Sequence, residues 1–328
     1  MYAIEADGLR KTYPRGVDAL RGVSFHVERG EVFALLGPNG AGKSTTVRIL
    51  TTLSRATAGR AAVMGLDVAS RPNEVRRRIG YVAQASGVDI TATGRENLRL
   101  QGRLFHLSGA ALTARVEELL ALFDLADAAD RLVRTYSGGM KRRLDVAMGL
   151  VHRPEVFFLD EPTTGLDPES RAVMWTEVRR LADEQELTIL LTTHYLEEAD
   201  RLARRVAIID RGQVVALGTP DALKGSLRGD LVSIEVADES RIAEAAALLD
   251  QLPHATSVVR EGASLHVQVE HGARALGGLV ASLEQAGFAV GQASISRPSL
   301  DEVYLAMTGR SFSKADADAA PPARKGLA

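Results

Sequence analysis

The sequence predicts an α/β fold: a mostly parallel sheet with helices on both faces, followed by a small α+β domain of ferredoxin-like βαββαβ order. Three observations predict it. An apolar run at 31–36 enters a glycine-rich loop, and a helical pattern at 46–53 follows. Apolar strands at 156–159, 189–193 and 206–209 alternate with helical patterns at about 169–184 and 195–203, as a parallel sheet requires. Beyond Arg228 the order becomes strand (231–236), helix (241–252), two strands (256–260 and 264–269), helix (273–285) and strand (289–296).

Taken in order, 4–9 and 23–27 alternate apolar and polar residues as half-buried strands do, and 60–65 and 79–83 add two short ones. An antiparallel β subdomain is therefore expected beside the parallel sheet. Leu98, Leu100 and Leu104, then Leu112, Val116, Leu119, Leu120 and Phe123, recur at helical spacing, which makes about 86–151 a helical insert. The expected domains are 1–226 and 229–308, the second closing on a short helix at 300–307. The remainder, 309–328, is mostly small and charged residues with little to bury, and is expected to be disordered.

Composition narrows the class. The 328 residues suffice for about two domains. A hydrophobic fraction of 45% and a charged fraction of 25% are ordinary for a soluble protein. The formal net charge of −2 leaves no excess of cations for a nucleic-acid partner. With no cysteine, disulfides, thiolate metal sites and cysteine nucleophiles are excluded. The first residues read as neither a secretory signal nor a membrane span, so a cytosolic location is expected.

The chemistry starts at Gly37-Pro-Asn-Gly-Ala-Gly-Lys-Ser-Thr45, between the strand and the helix. That is the setting of a Walker A phosphate loop. Gly37, Gly40 and Gly42 let the backbone curl and aim N–H groups at phosphate oxygens, and the helix N-terminus adds positive potential. Lys43 is placed to reach the outer phosphates and the Ser44 hydroxyl to take one Mg²⁺ position, with Asn39 and Thr45 beside them. The strand at 156–159 ends in Asp160-Glu161, a Walker B element. Asp160 would hold Mg²⁺ through water, and Glu161 would accept the proton of an attacking water. Ser137-Gly138-Gly139 precedes a helical pattern over 141–150, whose first turn carries Lys141, Arg142 and Arg143. Cations there oppose the helix dipole, which suggests an anion near this helix start.

With these residues assembled, the chain resembles the nucleotide-binding subunit of an ATP-binding cassette (ABC) transporter over about residues 2–225. Tyr136–Met140 is similar to the family signature, departing at its first and last positions but keeping Ser137, Gly138 and Gly139, the family's phosphate contacts. The resemblance implies further roles. Tyr13 would stack on adenine, Gln84 would sense Mg²⁺ and the attacking water, Asp167 belongs to the D-loop, and His194 would contact the γ-phosphate.

It also implies that ATP is held between the phosphate loop of one copy and the signature of another, so that a homodimer of cassettes forms with ATP and Mg²⁺ bound. The βαββαβ domain and the ending Pro298–Gly309 resemble the daunorubicin-resistance type of ATP-binding subunit. Such subunits pair with a separate ABC-2-type permease and export drugs, antibiotics or lipids from the cytoplasmic face of the cell membrane. The expected docking surface is Gly94–Leu98 with Phe105. A soluble ABC-type ATPase acting on ribosomes or DNA repair is the alternative. Against it stand the single cassette, the short insert and the lack of a basic arm.

Overall fold

In the computed structural model, residues 2–14, 16–227, 229–253, 255–296 and 299–319 are described. They form two compact units that divide between Val214 and Val215. The first unit opens with the hairpin β1 (Ile4–Tyr13) and β2 (Val17–Val27), then β3 (Val32–Leu36), the phosphate loop and α1 (Lys43–Leu50). Next come β4 (Ala58–Val63), β5 (Leu66–Asp67), α2 (Pro72–Arg78) and β6 (Ile79–Val82). The insert contributes α3 (Gly94–Leu104), α4 (Gly109–Leu122) and α5 (Gly138–Gly149). Then follow β7 (Val156–Asp160), α6 (Pro168–Gln185), β8 (Thr188–Thr193), α7 (Leu196–Leu202) and β9 (Arg205–Asp210), and the unit ends within β10 (Gln213–Gly218).

Two sheets result. The order β2-β1-β4-β5 is the antiparallel subdomain, and β10-β9-β3-β8-β7-β6 is the main sheet. In the main sheet the pairs β9-β3, β3-β8, β8-β7 and β7-β6 are all parallel. Every residue of β3, β7 and β8 is buried, the continuous apolar run expected of strands covered on both faces. Register decides where function falls. Leu36 lies opposite Thr193, and Asp160 opposite Thr192. The carboxyl ends of β3, β7 and β8 are therefore level, and the segments that leave them emerge side by side, where open α/β sheets hold ligands.

The second unit adds α8 (Pro220–Ser226), β11 (Asp230–Val236), α9 (Ile242–Asp250), β12 (Ala255–Glu261) and β13 (Ser264–Val269). It closes with α10 (Gly272–Gln285), β14 (Val290–Ser296), α11 (Leu300–Thr308) and α12 (Phe312–Ala319). The strand order β12-β13-β11-β14, all antiparallel, is the ferredoxin-like arrangement. Its core is one face of the sheet (Val232, Ile234, Leu265, Val267) against Leu249, Leu279 and Leu283 of the helices.

Two expectations need correcting. The unit boundary falls before 226, because α8 packs on α11 and belongs with the second unit. The stretch from 312 to 319 is helical, not disordered. Phe312 is buried edge-on against Tyr304, its backbone N–H donates to Asp301 (3.0 Å), and that one aromatic anchors the turn. The rest of the expected tail, 320–328, lies outside the described residues.

Candidate active site

The phosphate loop is shaped by close backbone approaches. Gly40 and Gly42 have φ of 74° and 112°, a left-handed region that disfavours side chains. A β-carbon at Gly37 would fall 2.3 Å from the carbonyl oxygen of Ile209. Lys43 does not extend into solvent. It is 4% exposed, and its Nζ donates to the carbonyl oxygens of Gly37 (2.7 Å) and Pro38 (3.2 Å) and pairs with Glu161 Oε1 (3.3 Å).

Beside it, Ser44 Oγ donates to Asp160 Oδ1 (3.0 Å), and Thr192 Oγ1 donates to the same oxygen (2.6 Å). Sequence pattern marks Thr192 only as a strand residue. It also accepts the Glu161 backbone N–H through Oγ1 (3.0 Å) and through its own carbonyl (3.1 Å), so it sets both carboxylates of the strand end. Glu161 itself has φ of 48°, a conformation costly for a non-glycine and commonest where function demands it.

Among the described residues, four groups in all meet the Glu161 carboxylate. Gln84 Nε2 donates to Oε2 (3.0 Å), Thr164 Oγ1 donates to the same atom (3.2 Å), His194 Nδ1 lies 3.3 Å from it, and Lys43 faces Oε1. Burial alone would raise this carboxyl, but the His194 imidazole and the Lys43 ammonium outweigh it and hold the group at about 2. A carboxyl depressed below its usual value stabilises the fold above that value, and the benefit fades as pH falls toward the folded one. Glu161→Gln is therefore expected to unfold at lower urea concentration than wild type at pH 7. The gap should narrow between about pH 4.5 and 2, as urea titrations across that range would show.

The remaining expected residues fall in two places. The Tyr13 hydroxyl lies 3.5 Å from Thr45 Oγ1, with the Lys11 ammonium 5.1 Å over its ring, so it borders the phosphate loop. Ser137 caps α5 by accepting the Met140 N–H (3.2 Å), and Asp167 caps α6 by accepting from Ser170 N–H (2.9 Å) and Oγ (2.7 Å). A recess of about 250 Å³ over Ser137 and Gly139 is shared with Glu169, Ser170 and Val173, and no phosphate-loop residue lines it. A β-carbon at Gly139 would press on Ser170 Oγ at 2.9 Å, which explains the glycine.

The basic turn after the signature reads differently in three dimensions. Arg143 donates to the carbonyl of Phe123 (2.9 Å) and pairs with Asp124, and Arg142 is buried among backbone carbonyls. Two of the three cations thus already have partners within the protein. The expected docking surface is likewise partly internal. Gly94, Asn97 and Leu98 are buried, and Phe105 stacks on His152 with ring centres 3.7 Å apart. Thr93 and Glu96 form a capping box, the structural reason for this run at the start of α3. The exposed apolar side chains in this region are Ile90, Leu100 and Leu104.

Behind the site Glu198, fully buried, accepts from Thr163 Oγ1 (2.9 Å) and Trp175 Nε1 (3.0 Å) through one oxygen, and burial raises its carboxyl above the usual range. It secures the turn that follows Glu161.

Comparison with known proteins agrees with this geometry. Residues 20–164 match the ABC transporter family, and residues 218–308 match the DrrA1-3-like ATP-binding protein C-terminal domain. The chain is 47% identical over 309 residues to the daunorubicin resistance ATP-binding protein DrrA2 of Streptomyces coeruleorubidus, covering 94% of this chain and 95% of that one. It is 45% identical over 233 residues to the Nod factor export ATP-binding protein I of Paraburkholderia xenovorans, covering 71% and 76%. Among solved structures, the dimeric ATP-binding cassette MJ0796 with ADP and Pi superposes with a TM-score of 0.60 at 26% identity, covering 66% of this chain and 98% of that one. Phosphate loop, paired carboxylates, signature and second unit all lie within these matches, and the chain belongs to the ABC transporter family as an ATP-hydrolysing subunit of the daunorubicin-resistance type.

Proposed function

We propose that this chain drives a drug or antibiotic exporter by closing and opening as a homodimer around ATP. The observation that carries the reading is the convergence of Lys43, Gln84 and His194 on the Glu161 carboxylate, at the level ends of three parallel strands. Lys43 is bonded to its own loop and to Glu161. A triphosphate offers Lys43 a stronger partner, and Glu161, relieved of one cation, becomes a better acceptor for the proton of water. Gln84 and His194 both meet the Oε2 of that carboxylate and orient it.

The donor set also fits a magnesium ion. The Ser44 hydroxyl and the Asp160 carboxylate are hard oxygen ligands already within hydrogen-bond distance of each other. When bound there, magnesium would offset charge on the phosphates.

Ser137, Gly138 and Gly139 stand at a helix N-terminus, exposed or half-buried and away from the phosphate loop, so they are positioned for a nucleotide held by a second copy. Tyr13 borders the same loop, where an adenine ring would stack. Among the described residues no helix is long and apolar enough to cross a membrane. The transport path then belongs to a separate ABC-2-type permease, which would hold the subunit at the cytoplasmic face of the membrane. Ile90, Leu100 and Leu104 are the surface for that contact. The DrrA-type match runs through the second unit as well as the first, which disfavours a ribosome or DNA-repair ATPase.

The test is the mass of Glu161→Gln by light scattering. The 35.1 kDa chain is expected to double its mass with ATP and Mg²⁺ and to remain single with ADP. A variant that stays single with ATP, even beside its permease, would refute the two-copy reading. Daunorubicin-stimulated ATP hydrolysis by the co-purified complex tests the substrate class. Lack of stimulation by daunorubicin and related drugs would refute drug export.

A further inference from the structure

The helix that begins at the signature has a second attachment, to the catalytic turn of its own chain. Arg142, in the second turn of α5, is 7% exposed. Its Nε donates to the carbonyl of Pro162 (2.7 Å), Nη1 to that of Ala83 (2.7 Å), and Nη2 to those of Asp160 and Glu161 (3.3 Å each). Three residues on, Asp145 lies on the same face, 4.0 Å from Arg142 Nη1, and its Oδ1 accepts the Gly87 N–H (2.9 Å). One pair of side chains thus grips the segment bearing Gln84 at both ends, Ala83 and Gly87, and also the turn bearing Glu161.

Anchoring the helix does not require this pair. Leu144, Val146 and Ala147 are fully buried, and Gly149 sits so close to Phe157 that a β-carbon there would come within 2.7 Å of the ring. The guanidinium instead holds backbone that would otherwise have latitude. A planar fork of five donors fixes several carbonyls in one geometry, which an ammonium cannot do. What it fixes includes Glu161, whose left-handed φ of 48° persists only if the surroundings impose it.

We propose that Arg142, supported by Asp145, is a positioning residue that makes the general-base turn and the Gln84 segment of each copy follow the seating of nucleotide on that copy's own signature. The inference rests on the two-copy reading above. A nucleotide bound by the phosphate loop of one copy and the signature of its partner then sets the partner's Glu161 as well. Each site responds to the other through α5. Coupling of this kind is a free energy between two sites and must appear as cooperativity in ATP.

The experiment compares wild type, Arg142→Lys, Arg142→Met and Asp145→Ala as full chains, measuring kcat, the Hill coefficient for ATP, and ATP affinity by direct binding. The guanidinium is not bonded to the phosphate loop, so nucleotide affinity should stay within about twofold, while kcat falls about tenfold or more and the Hill coefficient drops toward unity. Arg142→Lys keeps the buried charge without the fork and should show the same drop, so the test survives if Arg142→Met does not fold. A folded Arg142→Lys with the Hill coefficient and kcat of wild type would overturn the proposal. So would a fall in kcat with cooperativity untouched, since the residue would then serve its own site alone. Dimerisation of Glu161→Gln is the control that separates the two readings. If it dimerises with ATP while Arg142→Lys behaves as wild type, only the coupling is wrong. If it does not dimerise, and wild type shows no cooperativity, the two-copy reading falls and the coupling falls with it.

Discussion

Glu161→Gln is expected to bind ATP at close to the wild-type affinity and to lose hydrolysis by on the order of 10²–10⁴. The amide keeps the size of the side chain and an acceptor for Gln84 Nε2 and Thr164 Oγ1, which preserves the local frame. It cannot take a proton from water, so the chemical step fails while binding stands. The measurement is steady-state phosphate release alongside nucleotide binding. Wild-type turnover would remove Glu161 from the role of base and leave His194, the next proton-accepting group at the site, to take it.

Lys43→Ala should fail at an earlier stage. The ammonium is the cation enclosed by the loop, and its charge-assisted contacts are worth about 1.5–3 kcal/mol each, so ATP affinity should fall roughly 100-fold. The same change strips Glu161 of one of the two groups that depress its pKa, and the carboxyl should titrate higher in the variant. Calorimetric binding and a pH titration read the two effects separately. Unchanged affinity would place the phosphates elsewhere.

Much of this could be read in the sequence because it depends on local pattern. Buried parallel strands are continuous apolar runs, the ferredoxin-like unit alternates cleanly, and the phosphate loop is contiguous in the chain. The paired carboxylates were legible because they follow such a run. Thr192 and Arg142 were not, since their roles come from register across strands and from carbonyls that only the fold brings together. The place of Thr192 near the end of an apolar strand, two residues before His194, is the signal the sequence offers. Arg142 was misread for a related reason. A cation early in a helix looks like an anion site until its burial is known. The short helix at 312–319 was missed because a single phenylalanine in a small, charged stretch gives no period.

The Lys43 arrangement also bears on which anions the loop can hold. The ammonium is satisfied by two carbonyls and a carboxylate, and Asp160 by two hydroxyls. A passing anion must outbid those internal contacts, and a single phosphate makes a poorer offer than a tripartite chain that also meets the row of loop amides. Selectivity for the fuel thereby rests on how many of these contacts one anion can replace.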